Sequence, residues 1–487
     1  MPLALSFGDY LGCPILDKKS KKADFKTVLD KINSKLAGWK NKILPMVGRS
    51  TLIKSVNCTI PAYVMQNSML PISVHKAIDK ANRDFLWGST AEARKIHAVG
   101  WEKVTKPTEL GGLGIKTSLE ANTVAMAKLN WRVNVEDRIW SRVLLSKYKH
   151  RSIAYNRPSP TWRGLTKGEH VYNSGTKVAI RSGINTSFWY LNWTGLGPLR
   201  SLISGPLLRD EANLTVREVW GITDWDLSKI SFSLPFSILS HILLIQPQRL
   251  DPQSDITVWN SSPYGTFSSK SAWLLTRNFA CTPPFDNWTW IWKIKANPRI
   301  RNFFWLAAQN RLKTKNLLFS RNISQNDLCE ICNADSETTT HVLRDCHVAA
   351  SVWEGVGIPN SALPFFLSPL PFWLKLNCET KILHQSGIPW RIVFPFTCWN
   401  IWLLRNKTLF QNEPHRARDH LNSTIASSIA LAVEWNHIAI PALEPRKRIT
   451  VLVKWCPPST PSFKLNTDAW CMQKGAFTSH NRWLNPR

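Results

Sequence analysis

Cys329, Cys332, His341 and Cys346 stand in the order C-x2-C-x8-H-x4-C. Two cysteines separated by two residues share one tight turn and can point at a single ion; a histidine and a third cysteine further on can close a tetrahedron. Thiolate and imidazole donors suit Zn²⁺, a d¹⁰ ion with no redox chemistry. With four protein donors no position stays open for water or substrate, so the expected ion is structural. The alternative reading is a set of unrelated buried thiols, since free cysteine is common in cores. His347 is a rival fourth ligand, and sequence does not separate it from Cys346.

The elements that must position this group belong to a chain of 487 residues, for which length alone suggests about three domains. Apolar residues make up 44%, enough to build cores, and the net charge is +29. Residues 1 to 200 hold 32 Lys and Arg against 13 Asp and Glu. A basic surplus of that size attracts polyanions, nucleic acid above all. The 25 tryptophans, some grouped as Trp288, Trp290 and Trp292, are expected mainly in cores, with base stacking as the rarer use. The ten cysteines form no dense disulfide framework. Neither a signal peptide nor a membrane span is expected: the apolar run Val393 to Leu404 is short and carries Pro395. An intracellular, nuclear location is the expectation.

Helical spacing is clearest near the start. Phe25, Leu29, Ile32, Leu36 and Trp39 recur on one face, with Asp24 as N-cap and Lys26, Lys31, Lys35 and Lys40 among them. A second helix is predicted through Leu52, Ile53 and Val56. A third runs from Ser73 to Gly88 through Val74, Ile78, Phe85 and Leu86, and another from Ser118 past Trp131. Gly111-Gly112-Leu113-Gly114 is a loop; the surroundings of a phosphate cradle are missing. Residues 155 to 280 read as short strands or loops. Within them Asp255 to Trp259, followed by Tyr264 to Phe267, is expected to form a hairpin, and Ser269 to start a helix. Trp290 to Phe319 reads as helical. Its Arg299, Arg301, Arg311, Lys313 and Lys315 lie close to Phe303, Phe304 and Trp305, either as a stacking surface or as two faces of an ordinary helix. Residues 357 to 371, with four prolines, read as a linker, and Trp390 to Phe410 as a helix.

Several ordered landmarks then coincide. Tyr10-Leu11-Gly12-Cys13-Pro14, Leu36-Ala37-Gly38-Trp39-Lys40, Gly48-Arg49, Phe85-Leu86-Trp87-Gly88 and Gly111 to Gly114 resemble the region after the polymerase palm in plant non-LTR (LINE-type) retroelement reverse transcriptases. Gly265-Thr266-Phe267-Ser268, Lys270-Ser271-Ala272 and the helix from Trp290 resemble that family's zinc-binding domain. Cys329, Cys332, His341 and Cys346 fall on its ligand positions, with Glu337-Thr338 before the histidine and Trp353 after. Trp399, Trp402, Arg405, Asn406 and Phe410 match the segment before the family's RNase H. Lys464-Leu465-Asn466-Thr467-Asp468 is similar to the first RNase H strand, whose aspartate is a metal-binding carboxylate.

The resemblance implies a mainly α fold with small β elements: a basic helical N-terminal domain (1–150), an aromatic-rich mixed region (155–280), a zinc-binding helical module (285–356), a linker and helical segment (357–450), and a truncated α/β RNase H-like start (451–487). It implies nucleic-acid binding, with Lys26, Lys31, Lys35, Lys40, Lys42 and Arg49 as contacts, and structural Zn; protein partners stay open. Departures limit the activity expected. A palm needs an aromatic-x-Asp-Asp turn for two Mg²⁺, and no Asp-Asp pair occurs in the sequence. Residues 469 to 487 contain no Asp or Glu, so Asp468 is expected to be catalytically inactive, with Mg²⁺ relevant only to a completed RNase H site. Asn192 stands where relatives tend to carry Asp, and Ala469-Trp470-Cys471 lacks the small-residue pattern that usually follows the catalytic strand. The remaining readings are a zinc-dependent protein-interaction module and, with the missing residues supplied, an RNA–DNA hybrid ribonuclease.

Overall fold

A computed structural model describes residues 9–10, 13–14, 21–36, 43–90, 92–148, 158–221, 224–246, 254–277, 287–359, 365–411 and 418–439. The chain divides into two compact units, Met1–Asn436 and His437–Arg487; of the second, only the end of one helix is described. The architecture is mainly helical, with two small antiparallel ladders among the described residues.

A 3₁₀ turn, Lys22–Phe25, leads into helix α1 (Lys26–Leu36). Asp24 sits inside this turn rather than before it, and its carboxylate accepts the Lys21 N–H at 2.7 Å. Phe25, Ile32 and Leu36 are buried as their spacing predicts, while Trp39, Lys40 and Lys42 lie outside the described residues. Helix α2 (Met46–Leu52) continues into a π turn, Ile53–Asn57. Helix α3 (Ile72–Trp87) buries Val74, Ile78, Phe85 and Leu86 and stops at Gly88, whose φ of 77° suits a residue without Cβ. Helix α4 (Ser118–Val135) begins with a reciprocal cap: the Thr117 hydroxyl accepts from the Glu120 N–H at 3.2 Å, and the Glu120 carboxylate accepts from the Thr117 N–H at 3.0 Å.

Residues 155 to 280 depart from expectation. Ser159 caps helix α5 (Pro160–Gly175), with Pro160 pre-set for the first turn. Gly164, Gly168 and Gly175 interrupt its apolar period. Strand β1 (Thr176–Ala179) pairs antiparallel with β2 (Ile256–Trp259), Thr176 opposite Trp259. The predicted hairpin is therefore wrong in its partner: after β2 the chain turns back only as far as the Trp259 N–H to Gly265 carbonyl bond of 2.8 Å. Helix α6 (Ser269–Leu275) starts where predicted. Phe188, Trp189, Trp193, Trp220 and Trp225 form a core of their own.

Helices α7 (Pro298–Ala308), α8 (His347–Val356), α9 (Leu370–Glu379), α10 (Trp390–Gln411) and α11 (Arg418–Ala439) are the longer helices after residue 290. One apolar core holds Phe25 and Phe85 together with Phe304, Trp353, Trp390 and Phe394, so residues of the basic N-terminal helices and of the cysteine-rich region are buried in common. Phe365, in the stretch expected as a linker, is buried edge-on against Trp353 and Trp373, at 5.1 and 5.4 Å between ring centroids. Most tryptophans here serve packing. No described helix is long and apolar enough to cross a membrane.

Candidate metal centre

The four donors stand on two short structures. Leu328 and Ser336 bridge antiparallel, and between them the chain makes a tight turn closed by Asn333 N–H to the Cys329 carbonyl (2.8 Å) and Cys329 N–H to the Asp335 carbonyl (2.9 Å). Asn333 takes the left-handed conformation (φ 52°), which asparagine tolerates better than most residues. This turn presents Cys329 and Cys332. His341 opens a π turn, His341–Asp345, started by the Thr338 hydroxyl accepting the His341 N–H at 3.1 Å and held from behind by the Trp353 indole donating to the Leu343 carbonyl at 2.8 Å. Cys346 follows as the N-cap of α8.

The ligand atoms of Cys329, Cys332, His341 and Cys346 all lie within 4.8 Å of one another. Around a tetrahedral zinc, with Zn–S near 2.3 Å, neighbouring donors stand about 3.8 Å apart, so the set fits such an ion. His341 turns Nε2 to the Cys332 sulfur at 3.4 Å and Nδ1 towards the Asp335 carboxylate at 4.0 Å. Ligation through Nε2 therefore leaves the proton on Nδ1, facing a carboxylate that orients the ring. His347 is outside the cluster, and Cys346 is inside it.

The thiols do not ionise alike. Cys346 is held below the ordinary thiol value, first by a hydrogen bond from Cys329 and also by the Val348 and Ala349 N–H groups at the start of α8. Cys329, the donor to that sulfur and buried, is pushed up to about 12. His341 rises to about 9, chiefly through its hydrogen bond with Cys329. A divalent cation must displace these protons to be held by all four atoms.

The centre is anchored to its surroundings by charge. Glu337 is fully buried; it accepts from Arg405 of α10 at 2.9 and 2.6 Å and from the Lys315 N–H at 2.6 Å. Arg321 donates to the carbonyls of His97 and Ala98 at 3.0 and 2.9 Å. Sequence reasoning singled out Glu337 and Arg405 separately but not their pairing, since nothing local joins positions 68 residues apart.

The other predicted site residues are dispersed. Lys26, Lys31 and Lys35 lie exposed along α1. Arg49 is half-buried and reaches the Leu86 carbonyl at 3.5 Å. Lys40, Lys42 and Asp468 lie outside the described residues. Asn192 has a turn-forming role: its amide donates to the Thr176 carbonyl at 2.8 Å, and its oxygen accepts from Gly195 and Gly197, each at 3.0 Å.

Residues 267–353 match the family described as zinc-binding in reverse transcriptase. Over 471 residues the chain is 29% identical to an Arabidopsis thaliana protein named "Putative ribonuclease H protein", a match covering 93% of this chain and 75% of the relative. A second Arabidopsis thaliana protein, named "Uncharacterized mitochondrial protein", is 32% identical over 151 residues, 29% of this chain and 98% of the relative. The matched zinc-binding region contains all four converging donors, and the relatives extend the likeness well beyond it: the chain belongs to the plant retroelement proteins related to reverse transcriptase.

Proposed function

We propose that this chain is a nucleic-acid-binding part of a retroelement reverse-transcriptase polyprotein, stabilised by one zinc ion on Cys329, Cys332, His341 and Cys346, and that it does not itself synthesise DNA. The convergence of four soft donors inside a region similar to a reverse-transcriptase zinc-binding domain carries this reading. The zinc would be structural, because the protein supplies all four ligands and leaves no position for a reacting water. The surplus of 19 positive charges in residues 1 to 200 supplies the attraction for phosphate. The absence of any Asp-Asp pair from the 487 residues argues against polymerase chemistry.

The test combines metal content with binding. Purified chain should carry about one zinc, and its affinity for single strands, duplex and RNA–DNA hybrid should fall steeply between low and moderate salt. Zinc-free protein of unchanged folding would sink the metal assignment, and salt-independent affinity the electrostatic one. A nuclear location follows from this reading; imaging a tagged chain checks it, and exclusive accumulation elsewhere would refute it.

A second reading, RNA–DNA hybrid ribonuclease, is favoured by the name of the longer Arabidopsis relative. Asp468 would then hold Mg²⁺, yet residues 469 to 487 offer it no second carboxylate. Hybrid cleavage that disappears in Asp468→Asn would favour this reading over the first.

A further inference from the structure

Two clefts adjoin where three distant stretches of chain meet. One, of about 630 Å³, is lined by Lys80, Arg83, Arg94 and Lys95, with His97 and Asp84. The other, of about 390 Å³, is lined by Arg299, Arg311 and Lys313 together with Trp87, Trp399 and Trp402. They touch through Trp87, which lines the second, and His97, which lines the first: the two rings stack at 6.2 Å between centroids and 21° between planes. Lys313 faces Lys95 across the same junction; burial and then the Lys95 ammonium push its own value down. Arg321 holds the carbonyls of His97 and Ala98 and so fixes the floor.

We propose that this joined groove is a binding track for single-stranded polynucleotide, with phosphates on Arg94, Lys95 and Lys313 and bases stacked on Trp399 and Trp402. The proposal rests on the nucleic-acid-binding reading above and gives it a place and a substrate class. Three observations carry it. The lining residues of the two clefts include eight Lys and Arg, Arg49 among them, against one carboxylate, Asp84, which His97 already approaches at 3.8 Å. Among the described residues, Arg94, Lys95, Arg311 and Lys313 make no ion pair, so their charge is available to a polyanion. Trp399 and Trp402 line the second cleft half-buried, packed on Phe303 and with the Arg299 and Arg405 guanidinium groups over their rings at 5.6 and 5.1 Å, whereas Phe304 and Trp305 are wholly in the core. Basic residues interleaved with partly exposed indoles are what sequence-tolerant single-strand sites use. In a duplex the bases face one another and offer no ring to an indole, so single strand is the form selected.

The test measures anisotropy of labelled oligothymidine, of an equally long strand lacking its bases, and of duplex, with folding of every variant checked by circular dichroism. The native chain should bind the base-bearing strand about tenfold tighter than the baseless one, since stacking is lost while charge is kept. Trp402→Ala should remove most of that ratio and Trp402→Phe should keep it. Reversal at the facing pair, Lys95→Glu with Lys313→Glu, should weaken both single strands about tenfold and flatten the salt dependence. Equal affinity for the two strands would overturn the stacking track. So would a chain that tolerates the Lys95/Lys313 reversal but loses binding when Lys31 and Lys35 of α1 are reversed; nucleic-acid binding would then stand and the groove would fall. No binding to any strand at low salt would remove both.

Discussion

Arg405 closes on Glu337 with both prongs of its guanidinium, Nε on one carboxylate oxygen at 2.9 Å and Nη2 on the other at 2.6 Å, and both residues are buried. The pair ties the loop between the two halves of the metal centre to α10, whose Ile401 and Leu404 pack with Cys329, Val342 and Cys346 around a small apolar gap. Two charges withdrawn from water gain little over an apolar pair, but removing one leaves the other unpaired in a poorly polarisable interior.

Arg405→Ala should therefore destabilise the chain by about 3–5 kcal/mol, the range for breaking a buried pair. Arg405→Lys should fall between the two, because an ammonium cannot reproduce the two-pronged geometry. Urea denaturation followed by tryptophan fluorescence measures both. A midpoint unchanged in Arg405→Ala would mean that the Lys315 N–H, already bonded to Glu337 at 2.6 Å, is enough to hold the carboxylate.

Metal ligation makes a sharper distinction. Cys346→Ser should lose zinc and melt early, as should Cys329→Ser, whereas His347→Ala should keep both zinc and melting temperature. Cys346 lies inside the donor cluster and His347 outside it. Zinc content by mass spectrometry, alongside thermal melts with and without chelator, checks this. Loss of zinc from His347→Ala with retention in Cys346→Ser would reverse the assignment.

These residues show what sequence could reveal and what it could not. The C-x2-C turn is local, so spacing alone brings Cys329 and Cys332 together, and the apolar period of α3 and α4 is equally local. The pairing of β2 with β1 is not: about 80 residues intervene, and the alternation of Ile256 to Trp259 suits any edge. The local pattern therefore points to the nearest segment, not to β1, as the partner. Pro359, Pro364, Pro369 and Pro371 suggested a linker, yet Pro369 and Pro371 simply start α9, and Phe365 between them and α8 is core. Arg94 and Lys95 gave no periodic signal, and only folding sets them beside Lys313 and the indoles of α10.

Stability against pH should carry two opposed contributions from one face of α3. His75 Nδ1 meets the Ser118 hydroxyl at 2.9 Å, and Asp79 accepts the Ser118 N–H at 2.9 Å. Burial lowers His75 from 6.5 to about 4 and raises Asp79 from 3.8 to about 6. The unfolded chain thus binds the histidine proton more readily, so that contribution is present above pH 6.5 and lost as pH falls towards 4. The folded chain binds the aspartate proton more readily, so that contribution is present below 3.8 and lost as pH rises towards 6. Asp79→Asn should consequently steepen the loss of stability on acidification from pH 6.5 to 4, and His75→Gln should flatten or reverse it. Denaturation midpoints across that window decide; identical profiles for both variants and the native chain would refute the assignment.

The glycines of α5 should differ in what they tolerate. At Gly168 an added Cβ would stand 2.6 Å from the Ala127 nitrogen and 2.7 Å from the Met126 carbonyl carbon, both backbone atoms of α4 that cannot step aside. At Gly164 the nearest atom is the Met126 sulfur, the end of a flexible side chain. Alanine raises helix propensity by a similar amount at either site, close to 1 kcal/mol, so the packing term alone separates them. Gly168→Ala should cost about 1–3 kcal/mol through forced separation of α4 and α5, while Gly164→Ala should be near neutral. Gly175→Ala belongs with the first, because its Cβ would press on the buried Trp259 ring. Should Gly168→Ala prove as stable as the native chain in urea, the two helices do not cross at this glycine.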